Sequence, residues 1–479
     1  MGSTDHNEAV EPGDGLTKPQ VTRRLGCQGK ARPAISVSSV TRRLPIAPHL
    51  RGTPVRLSVE GKPVRAFSGE TVAAALHASE QQVLSRSLKY HRPRSFFCLD
   101  GHCGGCLMRI DGLPNQRACM TPCREGMQIL GQNAYPAPDL DVLELVDWMF
   151  PGGMNHHTLM TRPALLNAVA NKVVRQLSGL GELPDRAPSE SRPAVRATPD
   201  IAVVGAGPAG LAAATEAASH GASTLLIDEH AEAGGSLRYD PRYSRTAIAE
   251  RVQAARDAGV DIRLAHTAIG YYTEDRAPVL AVAGAGRMTL VSASRYIYAT
   301  GGYASNRLFV NNDRPGVVAA RAVGRLLLDH GIAAGQRICL VHDRGDLQAQ
   351  ALGDALETAG VEVIRAIEPD TTVVGVRGRP WVTGIELTDG SGRRHRRDCD
   401  LVAVAALPAP ASEVPRQHGC AVELRPSAGG FAVVATDDGQ TSVPEVLACG
   451  DVCGYVGPER AAAMGKEIGR KAAQERGTT

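Results

Sequence analysis

The apolar and polar positions of the chain follow one pattern in its first third and another in the rest. Across 55–66 apolar residues alternate with polar ones, as they do in strands, and Gly61 marks a turn. Thr71 precedes the apolar run 72–76, which predicts a helix with Thr71 as its N-cap. Residues 106–110 predict a further strand. The first third therefore reads as a small domain of strands around one helix.

From residue 200 the chain consists of short apolar runs separated by Ala-rich helical stretches. The runs 201–204 and 223–227 are of the kind that is buried in parallel sheets, and a helix predicted for 210–220 connects them. A second strand–helix–strand unit is predicted at 337–341, 346–359 and 361–364. The segments 382–387 and 401–405 then predict a hairpin.

Composition and charge exclude several classes of protein. With 43% apolar and 22% charged residues the chain is a folded globular protein, and it contains no apolar run long enough to cross a membrane. The net charge of +3 is too small to indicate a nucleic-acid partner. The excess lies in residues 1–50, where two Thr-Arg-Arg-Leu segments lack the apolar stretch of an export signal. We expect a disordered basic tail there.

Five of the eleven cysteines are clustered between residues 98 and 123. The spacing Cys98-x4-Cys103-x2-Cys106, followed after twelve residues by Cys119, is that of plant-type [2Fe–2S] ferredoxins. Four thiolates must converge on two irons from one loop, which this spacing allows. A tight cluster without a secretion signal also indicates a cytoplasmic protein rather than a disulfide framework.

A zinc site and buried structural cysteines are the two alternatives to this cluster assignment. Zinc sites usually use two C-x2-4-C pairs and need no glycine-lined loop, whereas Gly101, Gly104 and Gly105 lie between these cysteines. The spacing alone leaves open whether Cys119 or Cys123 is the fourth ligand.

A glycine fingerprint between a predicted strand and a predicted helix indicates a dinucleotide site. Gly205 makes the turn, Gly207 lets a pyrophosphate approach, and Gly210 lets the helix pack on the strand. The helix N-terminus then faces the negative charge. Asp228, at the end of the next strand, binds ribose hydroxyls in this interpretation, with Glu229 as the alternative. The predicted residues here are Gly205, Gly207, Pro208, Ala209, Gly210, Asp228 and Glu229.

Later segments favour FAD over NAD as the dinucleotide. Ala299-Thr300-Gly301 closes one strand and Cys449-Gly450-Asp451 closes another, and a late Gly-Asp followed by a helix is typical of flavoproteins with two dinucleotide folds. Asp451 is expected to bind the ribityl chain, and the helix after Pro458 to direct its positive end at the flavin. The predicted residues are Gly235, Ser236, Thr300, Gly301, Gly450 and Asp451.

The second strand–helix–strand unit lacks the glycine fingerprint. Asp343 and Asp346 stand where a pyrophosphate needs an uncharged turn, so we expect a degenerate nucleotide fold that serves as scaffold. No nucleophile–base motif such as G-x-S-x-G is present, and the catalytic residues stay unassigned.

The motifs together resemble a known group of oxidoreductase subunits. The segment 87–94, Ser-Leu-Lys-Tyr-His-Arg-Pro-Arg, resembles a signature of the α subunit of heterotetrameric sarcosine oxidase, and 98–122 resembles the iron–sulfur subunit of hydrogen cyanide synthase and opine oxidase. The segments around Gly205, 312–316 and 450–451 resemble the FAD-bearing A subunits of the same group. The resemblance covers roughly residues 52–475.

This resemblance implies FAD and a [2Fe–2S] cluster, and it favours Cys119 as the fourth ligand. It further implies that a second, FAD-dependent subunit oxidises an amine or amino acid, such as sarcosine, an opine or proline. This chain would then handle the electrons within a hetero-oligomer. The matching motifs do not include the folate-binding half of the sarcosine oxidase subunit, so the resemblance does not imply tetrahydrofolate chemistry. The alternatives are a self-contained NAD(P)H-dependent reductase and a non-catalytic scaffold subunit.

The expected fold is α/β, with an N-terminal β-grasp [2Fe–2S] ferredoxin-like domain followed by a Rossmann-like flavoprotein with two dinucleotide folds. The predicted boundaries are a disordered tail at 1–50, the ferredoxin-like domain at 51–135, a helical connector and Pro-rich linker at 136–198, and the FAD/NAD(P)-type domain at 199–479, with the degenerate fold inserted at about 316–410.

Overall fold

A computed structural model describes residues 42–45, 51–88, 90–145, 192–273, 278–284 and 286–476. Most of the predicted helical connector and linker at 136–198 lies outside these residues, as does most of the predicted basic tail.

The N-terminal domain forms where the period-2 pattern predicts strands. Val55, Leu57 and Val59 are buried on one face of β1, and Gly61 makes the turn with a φ of 75°. Helix α1 (Val72–Ala78) is entirely buried, and the Thr71 side chain accepts a hydrogen bond from its third residue, as predicted. The strands are β1 (Pro54–Val59), β2 (Lys62–Phe67), β5 (Leu107–Ile110), β6 (Leu113–Arg117) and β7 (Gln128–Leu130). They form one sheet in the order β2-β1-β7-β5-β6.

Two short ribbons flank this sheet. Strand β3 (Ser85–Arg86) pairs with β4 (Pro93–Arg94), and β8 (Pro136–Ala137) pairs with β9 (Leu140–Asp141). The cysteine loop lies between β4 and β5.

The first nucleotide fold is a parallel sheet buried on both faces. Its strands are β11 (Ile201–Val204), β12 (Thr224–Ile227), β13 (Asp261–Arg263), β17 (Arg295–Tyr298) and β29 (Val446–Ala448), in the order β13-β12-β11-β17-β29. Its helices are α2 (Pro208–Ser219), α3 (Arg245–Asp257) and α7 (Pro458–Gln474). Helices α2 and α7 pack backbone to backbone, since a Cβ on Gly465 would lie 2.1 Å from the Ala209 carbonyl oxygen.

A mainly antiparallel layer and several small elements complete this part of the chain. The layer has the order β10-β16-β15-β14. Its strands are β10 (Val195–Ala197), β14 (His266–Tyr272), β15 (Val279–Gly284) and β16 (Arg287–Val291). The small elements are the pair β18 (Gly302–Tyr303) and β26 (Ala409–Pro410), the pair β27 (Val422–Arg425) and β28 (Gly430–Val433), and helix α6 (Glu413–Gln417).

The second nucleotide fold is inserted into the first. Its parallel sheet has the order β19-β25-β20-β21, with β19 (Val317–Ala319), β20 (Arg337–Asp343), β21 (Glu362–Glu368) and β25 (Leu401–Val404), and its helices are α4 (Ala320–Leu328) and α5 (Leu347–Thr358). An antiparallel sheet of β22 (Thr371–Arg377), β23 (Gly384–Asp389) and β24 (Arg394–Asp398) follows β21. The predicted α/β fold class, with a ferredoxin-like domain before two dinucleotide-type folds, is confirmed.

The predicted hairpin of 382–387 with 401–405 is wrong in its second strand. Strand β23 pairs instead with the Arg-rich strand β24, whose side chains are largely exposed. The apolar segment 401–404 is fully buried between β19 and β20. A run of four consecutive apolar residues suits a strand covered on both faces, whereas an exposed hairpin strand tolerates arginines.

The predicted disordered tail at 1–50 is wrong for Arg42–Leu44. Arg43 pairs with Ile332 as an antiparallel bridge, and the Leu44 N–H donates to the Gly331 carbonyl at 2.8 Å. The Arg43 guanidinium binds both oxygens of the buried Glu70 carboxylate, at 2.7 and 2.8 Å. This short segment therefore joins the ferredoxin-like domain to the second nucleotide fold.

Candidate functional site

The β5–β6 hairpin brings the fourth cysteine to the cysteine loop. Leu107 pairs with Arg117, and the Ala118 N–H donates to the Cys106 carbonyl at 3.1 Å, so that Cys106 and Cys119 lie side by side. The Cys98 thiol lies next to the thiols of Cys103 and Cys119, and the Cys119 thiol also lies next to that of Cys106. The structure thus brings together all four cysteines of the predicted set.

Backbone N–H groups of the loop point at the sulfur atoms. Those of Asp100 and Cys103 donate to Cys98 Sγ at 3.3 and 3.4 Å, and that of Gly105 donates to Cys103 Sγ at 3.4 Å. A side chain at Gly105 is excluded, because its Cβ would lie 2.3 Å from the Ser95 carbonyl oxygen. Hydrogen bonds of this kind tune the reduction potential of an iron–sulfur cluster.

The donor set fits a two-iron cluster. Contact with Cys98 raises the pKa of the Cys103 thiol, and contact with Cys106 raises the pKa of the Cys119 thiol, because crowded sulfurs resist ionisation together. Two iron cations would supply the missing positive charge. Within the described ranges no three His, Cys, Asp or Glu side chains are arranged to hold a metal ion. Four thiols that bind two irons in pairs would not converge on a single centre, and their mutual contacts are what a two-iron cluster requires.

Cys123 lies apart from these contacts. Its N–H donates to the Glu70 carbonyl at 2.9 Å, and burial, with the Glu70 carboxylate adding to it, raises the pKa of its thiol to about 12. It has no thiol–thiol hydrogen bond among those of the described cysteines. Cys103 is the exposed member of the four, whereas Cys98, Cys106 and Cys119 are buried.

The glycine fingerprint has the local geometry that a dinucleotide loop requires. Gly205 follows β11 with a φ of 104°, and a Cβ there would lie 2.3 Å from the Ala299 carbonyl oxygen. Gly207 is the N-cap of α2. Gly210 lets the helix pack closely on the loop, since a Cβ added at this position would lie 1.7 Å from the Gly205 carbonyl oxygen.

A cavity of about 290 Å³ lies in front of this loop. The predicted residues on its wall are Gly205, Gly207, Pro208, Ala209, Asp228, Glu229, Gly235, Ser236, Thr300, Gly301, Gly450 and Asp451. Gly210 is the exception, because it faces the Gly205 backbone instead. The structure therefore collects residues from five separate segments at one cavity.

The two acidic candidates after β12 have different partners. Asp228 accepts hydrogen bonds from the Ala206 N–H at 2.6 Å and from the His230 N–H at 2.8 Å. Burial opposes its ionisation, but the hydrogen bonds from His230 and the loop lower its pKa overall. Glu229 instead binds Arg117 at 3.2 Å. Asp228 thus remains an anion beside the glycine loop.

Asp451, another residue of the cavity wall, lies beside the N-terminus of α7. Its carboxylate accepts a hydrogen bond from the Val456 N–H at 2.9 Å, and burial raises its pKa. The Thr300 hydroxyl donates to the Ala411 carbonyl at 2.7 Å, so it also fixes the protein backbone.

Sequence reasoning missed the contribution of the cysteine loop to this cavity. Asp100 and His102, which lie between Cys98 and Cys103, are part of the cavity wall. The His102 ring lies 4.2 Å from the Tyr303 ring, and the Tyr303 hydroxyl donates to Glu413 at 2.7 Å. The sequence signal that could have identified Asp100 and His102 is that both are polar residues inside the predicted cluster-binding loop.

Arg321 and Arg325 of α4 were missed as well. Both line the cavity, one helical turn apart, and Arg325 Nη2 donates to Asp100 Oδ1 at 2.5 Å. Their spacing places them on one face of the helix. Nothing in the sequence connects that face with the cysteine loop.

A second cavity, of about 430 Å³, lies between the two nucleotide folds. Asp346 caps α5 by accepting a hydrogen bond from the Ala349 N–H at 2.9 Å. Asp343 binds Arg307 at 2.8 Å. The N-terminus of α5, which would face a pyrophosphate, is therefore already capped by the Asp346 carboxylate.

Two family models match the chain. Residues 52–134 match the "2Fe-2S iron-sulfur cluster binding domain", and residues 200–241 match the "FAD dependent oxidoreductase" family. FAD and a [2Fe–2S] cluster are thereby supported as cofactors. Within the described ranges, no helix combines the length and apolar character needed to cross a bilayer.

Curated relatives match over most of the chain. It is 29% identical over 405 residues to the sarcosine oxidase subunit alpha of Rhizobium meliloti, which covers 74% of this chain and 40% of that protein. It is 40% identical over 73 residues to the hydrogen cyanide synthase subunit HcnA of Pseudomonas aeruginosa, covering 15% of this chain and 69% of that protein. The chain spans 33 to 40% of the length of the sarcosine oxidase subunits that it matches.

Among solved structures, the L-proline dehydrogenase of P. horikoshii superposes with a TM-score of 0.68 at 21% identity. The match covers 90% of this chain and 75% of that chain. At this identity the likeness concerns the fold.

Proposed function

We propose that the chain is the electron-handling subunit of an amine-oxidising complex. The proposal is supported by its similarity to the sarcosine oxidase α subunit and to HcnA, and by its match to a [2Fe–2S] domain. In this proposal a second flavoprotein oxidises the C–N bond of an amino acid or secondary amine. FAD accepts electrons in pairs, and a [2Fe–2S] cluster transfers them singly.

The observation that carries the proposal is that one loop serves both sites. The loop that holds Cys98, Cys103 and Cys106 also places Asp100 and His102 in the wall of the dinucleotide cavity. Electron transfer between two centres requires that they lie close together, and a shared loop provides this within one chain.

The predicted residues divide among the parts of the proposed cofactors. We assign the cluster to Cys98, Cys103, Cys106 and Cys119, the pyrophosphate to the glycine loop before α2, and the ribose to Asp228. Asp451 and the N-terminus of α7 are assigned to the flavin end of the cavity. Thr300 and Gly301 shape the wall between them.

The outer side of the cysteine loop is the proposed route to a partner. Cys103 is exposed and, with Gly104, lines a surface groove that Arg92 and Arg94 also line. We propose that the amine-oxidising subunit, or the acceptor that it shares with this chain, approaches the cluster here. The clustered thiols, and the absence of a disulfide among the described cysteines, suit a cytoplasmic complex.

The self-contained NAD(P)H reductase is the weaker alternative. It needs a nucleotide at the second fold, where Asp346 caps the helix and Asp343 is held by Arg307. A scaffold subunit without cofactors would not need four thiols and their N–H donors in this arrangement.

Amine-dependent dye reduction tests the proposal. The isolated chain should show FAD and iron–sulfur absorbance but little amine dehydrogenase activity, and activity should appear when it is co-expressed with a neighbouring amine-oxidase-like gene product. Turnover of amines by the isolated chain would contradict the proposal. Bleaching of the flavin by NADH under anaerobic conditions would favour the reductase instead.

A further inference from the structure

One histidine joins the dinucleotide cavity to the cysteine loop. His230 Nδ1 lies 3.1 Å from Asp228 Oδ1, and its Nε2 lies 2.8 Å from Asp100 Oδ1. Its side chain is 20% exposed, and the two carboxylates are 12% and 8% exposed. Most of the bridge is therefore shielded from bulk solvent, and all three residues line the cavity.

Both ends of this bridge are fixed. Asp228 also accepts a hydrogen bond from the Ala206 N–H in the glycine loop, at 2.6 Å. Asp100 also binds Arg325, which is itself buried. Although burial lowers the pKa of His230, the hydrogen bonds with Asp100 and Asp228 raise it to about 9, so the ring is a cation between two anions at neutral pH.

The Asp100 end reaches a predicted cluster ligand directly. The Asp100 N–H donates to Cys98 Sγ at 3.3 Å. Hydrogen bonds to the sulfurs of an iron–sulfur cluster set its reduction potential. A change in the position of Asp100 is therefore expected to change that potential.

The Asp228 end reaches the proposed ribose site. A ribose hydroxyl that donates to Asp228 must share a carboxylate that already binds Ala206 and His230. Since both His230 nitrogens are engaged, a displaced Asp228 carboxylate moves or loosens the ring, and Asp100 is affected in turn.

We propose that His230 is a positioning residue through which occupancy of the dinucleotide cavity sets the reduction potential of the cluster. The inference rests on the proposed function, which places a nucleotide at Asp228 and a cluster at the four cysteines. By linkage, the redox state of the cluster must change the affinity for the nucleotide by the corresponding factor.

The test uses the full-length chain freed of FAD, with ADP as the probe. ADP has the ribose and pyrophosphate but no flavin, so the cluster is the redox centre that is measured. The midpoint potential of the cluster is followed by electron paramagnetic resonance, with and without saturating ADP, in the wild type, His230→Phe, His230→Gln and the control His395→Gln. His395 binds Asp389 on the β23–β24 hairpin, which contributes nothing to the cavity wall.

We expect ADP to shift the potential in the wild type and in His395→Gln. The shift should be lost in His230→Phe, although ADP still binds, and should be smaller in His230→Gln, because glutamine spans the two carboxylates less well than imidazole. A His230→Phe shift equal to that of the wild type would overturn the inference, and so would a wild type without any shift.

Two further outcomes are separable from these. If His230→Phe does not assemble a cluster, a full shift in His230→Gln overturns the inference and a reduced one supports it. If the wild type holds neither ADP nor a cluster signal, the proposed function itself has failed before any coupling is measured.

Discussion

The two nucleotide-type folds of this chain begin alike and differ at the helix that follows the first strand. In the first fold, Gly207 precedes α2, no side chain caps the helix, and the cavity in front of it is open. In the second fold, Asp346 caps α5 with its own carboxylate, and Asp343 is paired with Arg307. A helix N-terminus attracts negative charge in both cases, but in the second fold the chain supplies that charge itself.

The difference teaches that the fold alone does not make a nucleotide site. The second fold keeps its parallel sheet and a buried core, and it contributes Arg321 and Arg325 to the cavity of the first. Its remaining role is to support the first fold and the cysteine loop. The predictions below test this division, from the largest expected effect to the smallest.

The largest effect is expected from Gly207→Val. The Cβ position has ordinary room in the protein, 3.9 Å from the Gly235 Cα, but it lies on the cavity wall where the pyrophosphate is placed. FAD occupancy should therefore fall to nearly zero while the fold persists, as measured by flavin absorbance and thermal unfolding. Asp228→Ala should weaken FAD binding less, because a lost hydrogen bond can be replaced by water.

The matched control in the second fold is Gly345→Ala. Gly345 has a φ of 86° and open space around it, so the substitution should cost about 1 kcal/mol of stability and leave FAD occupancy unchanged. Full flavin occupancy in Gly207→Val, or flavin loss in Gly345→Ala, would break the comparison.

Substitution of a cluster ligand in the ferredoxin-like domain should have an effect as large as substitution in the glycine loop. Cys119→Ser should abolish the [2Fe–2S] signal in electron paramagnetic resonance, because Cys119 contacts both Cys98 and Cys106. Cys123→Ser should keep the signal, since that thiol lies beside Glu70. The reverse pattern would show that the fourth ligand is misassigned.

A smaller effect is expected from pH through His230. Its pKa is raised to about 9 in the folded chain, above the ordinary value of 6.5, so its stabilising contribution is complete below pH 6.5 and is lost as pH rises through about 9. The free energy of unfolding should fall by on the order of 1 kcal/mol per pH unit within that window. Denaturant unfolding of His230→Gln should show a flatter profile, and an unchanged profile would contradict the assigned ion pairs.

The smallest effect is expected from Asp346→Ala in the second fold. Loss of the N-cap should cost about 1 kcal/mol and lower the unfolding temperature slightly. FAD content and the cluster signal should stay as in the wild type. A loss of flavin in this variant would mean that the second fold takes part in binding after all.

The sequence allowed much of each site to be predicted where the chemistry is local. The spacing of Cys98, Cys103 and Cys106 within one loop indicates a cluster site. The positions of Gly205 and Gly207 within another loop indicate a dinucleotide site. Asp228 could be placed because a strand end lies at a known distance from the glycine loop.

What could not be predicted depends on contacts between distant segments. In the bridge from Asp228 through His230 to Asp100, His230 and Asp100 lie 130 positions apart in the sequence. No hydrophobic periodicity indicates a contact between them. The strand at 401–404 was misplaced for a similar reason, because its partners β19 and β20 are far away in the chain. The segment Arg42–Leu44 looked like a solvated tail until its partners Glu70 and Ile332 were known.

The central claim is that one chain holds both FAD, in the first nucleotide fold, and a [2Fe–2S] cluster in the adjoining loop. An anaerobic dithionite titration of the purified full-length chain, followed by flavin absorbance and electron paramagnetic resonance, tests it most directly. We expect uptake of about three electrons per chain, two by FAD and one by the cluster, with both signals changing. Uptake of about two electrons without a resonance signal, or of about one without flavin bleaching, would contradict the account.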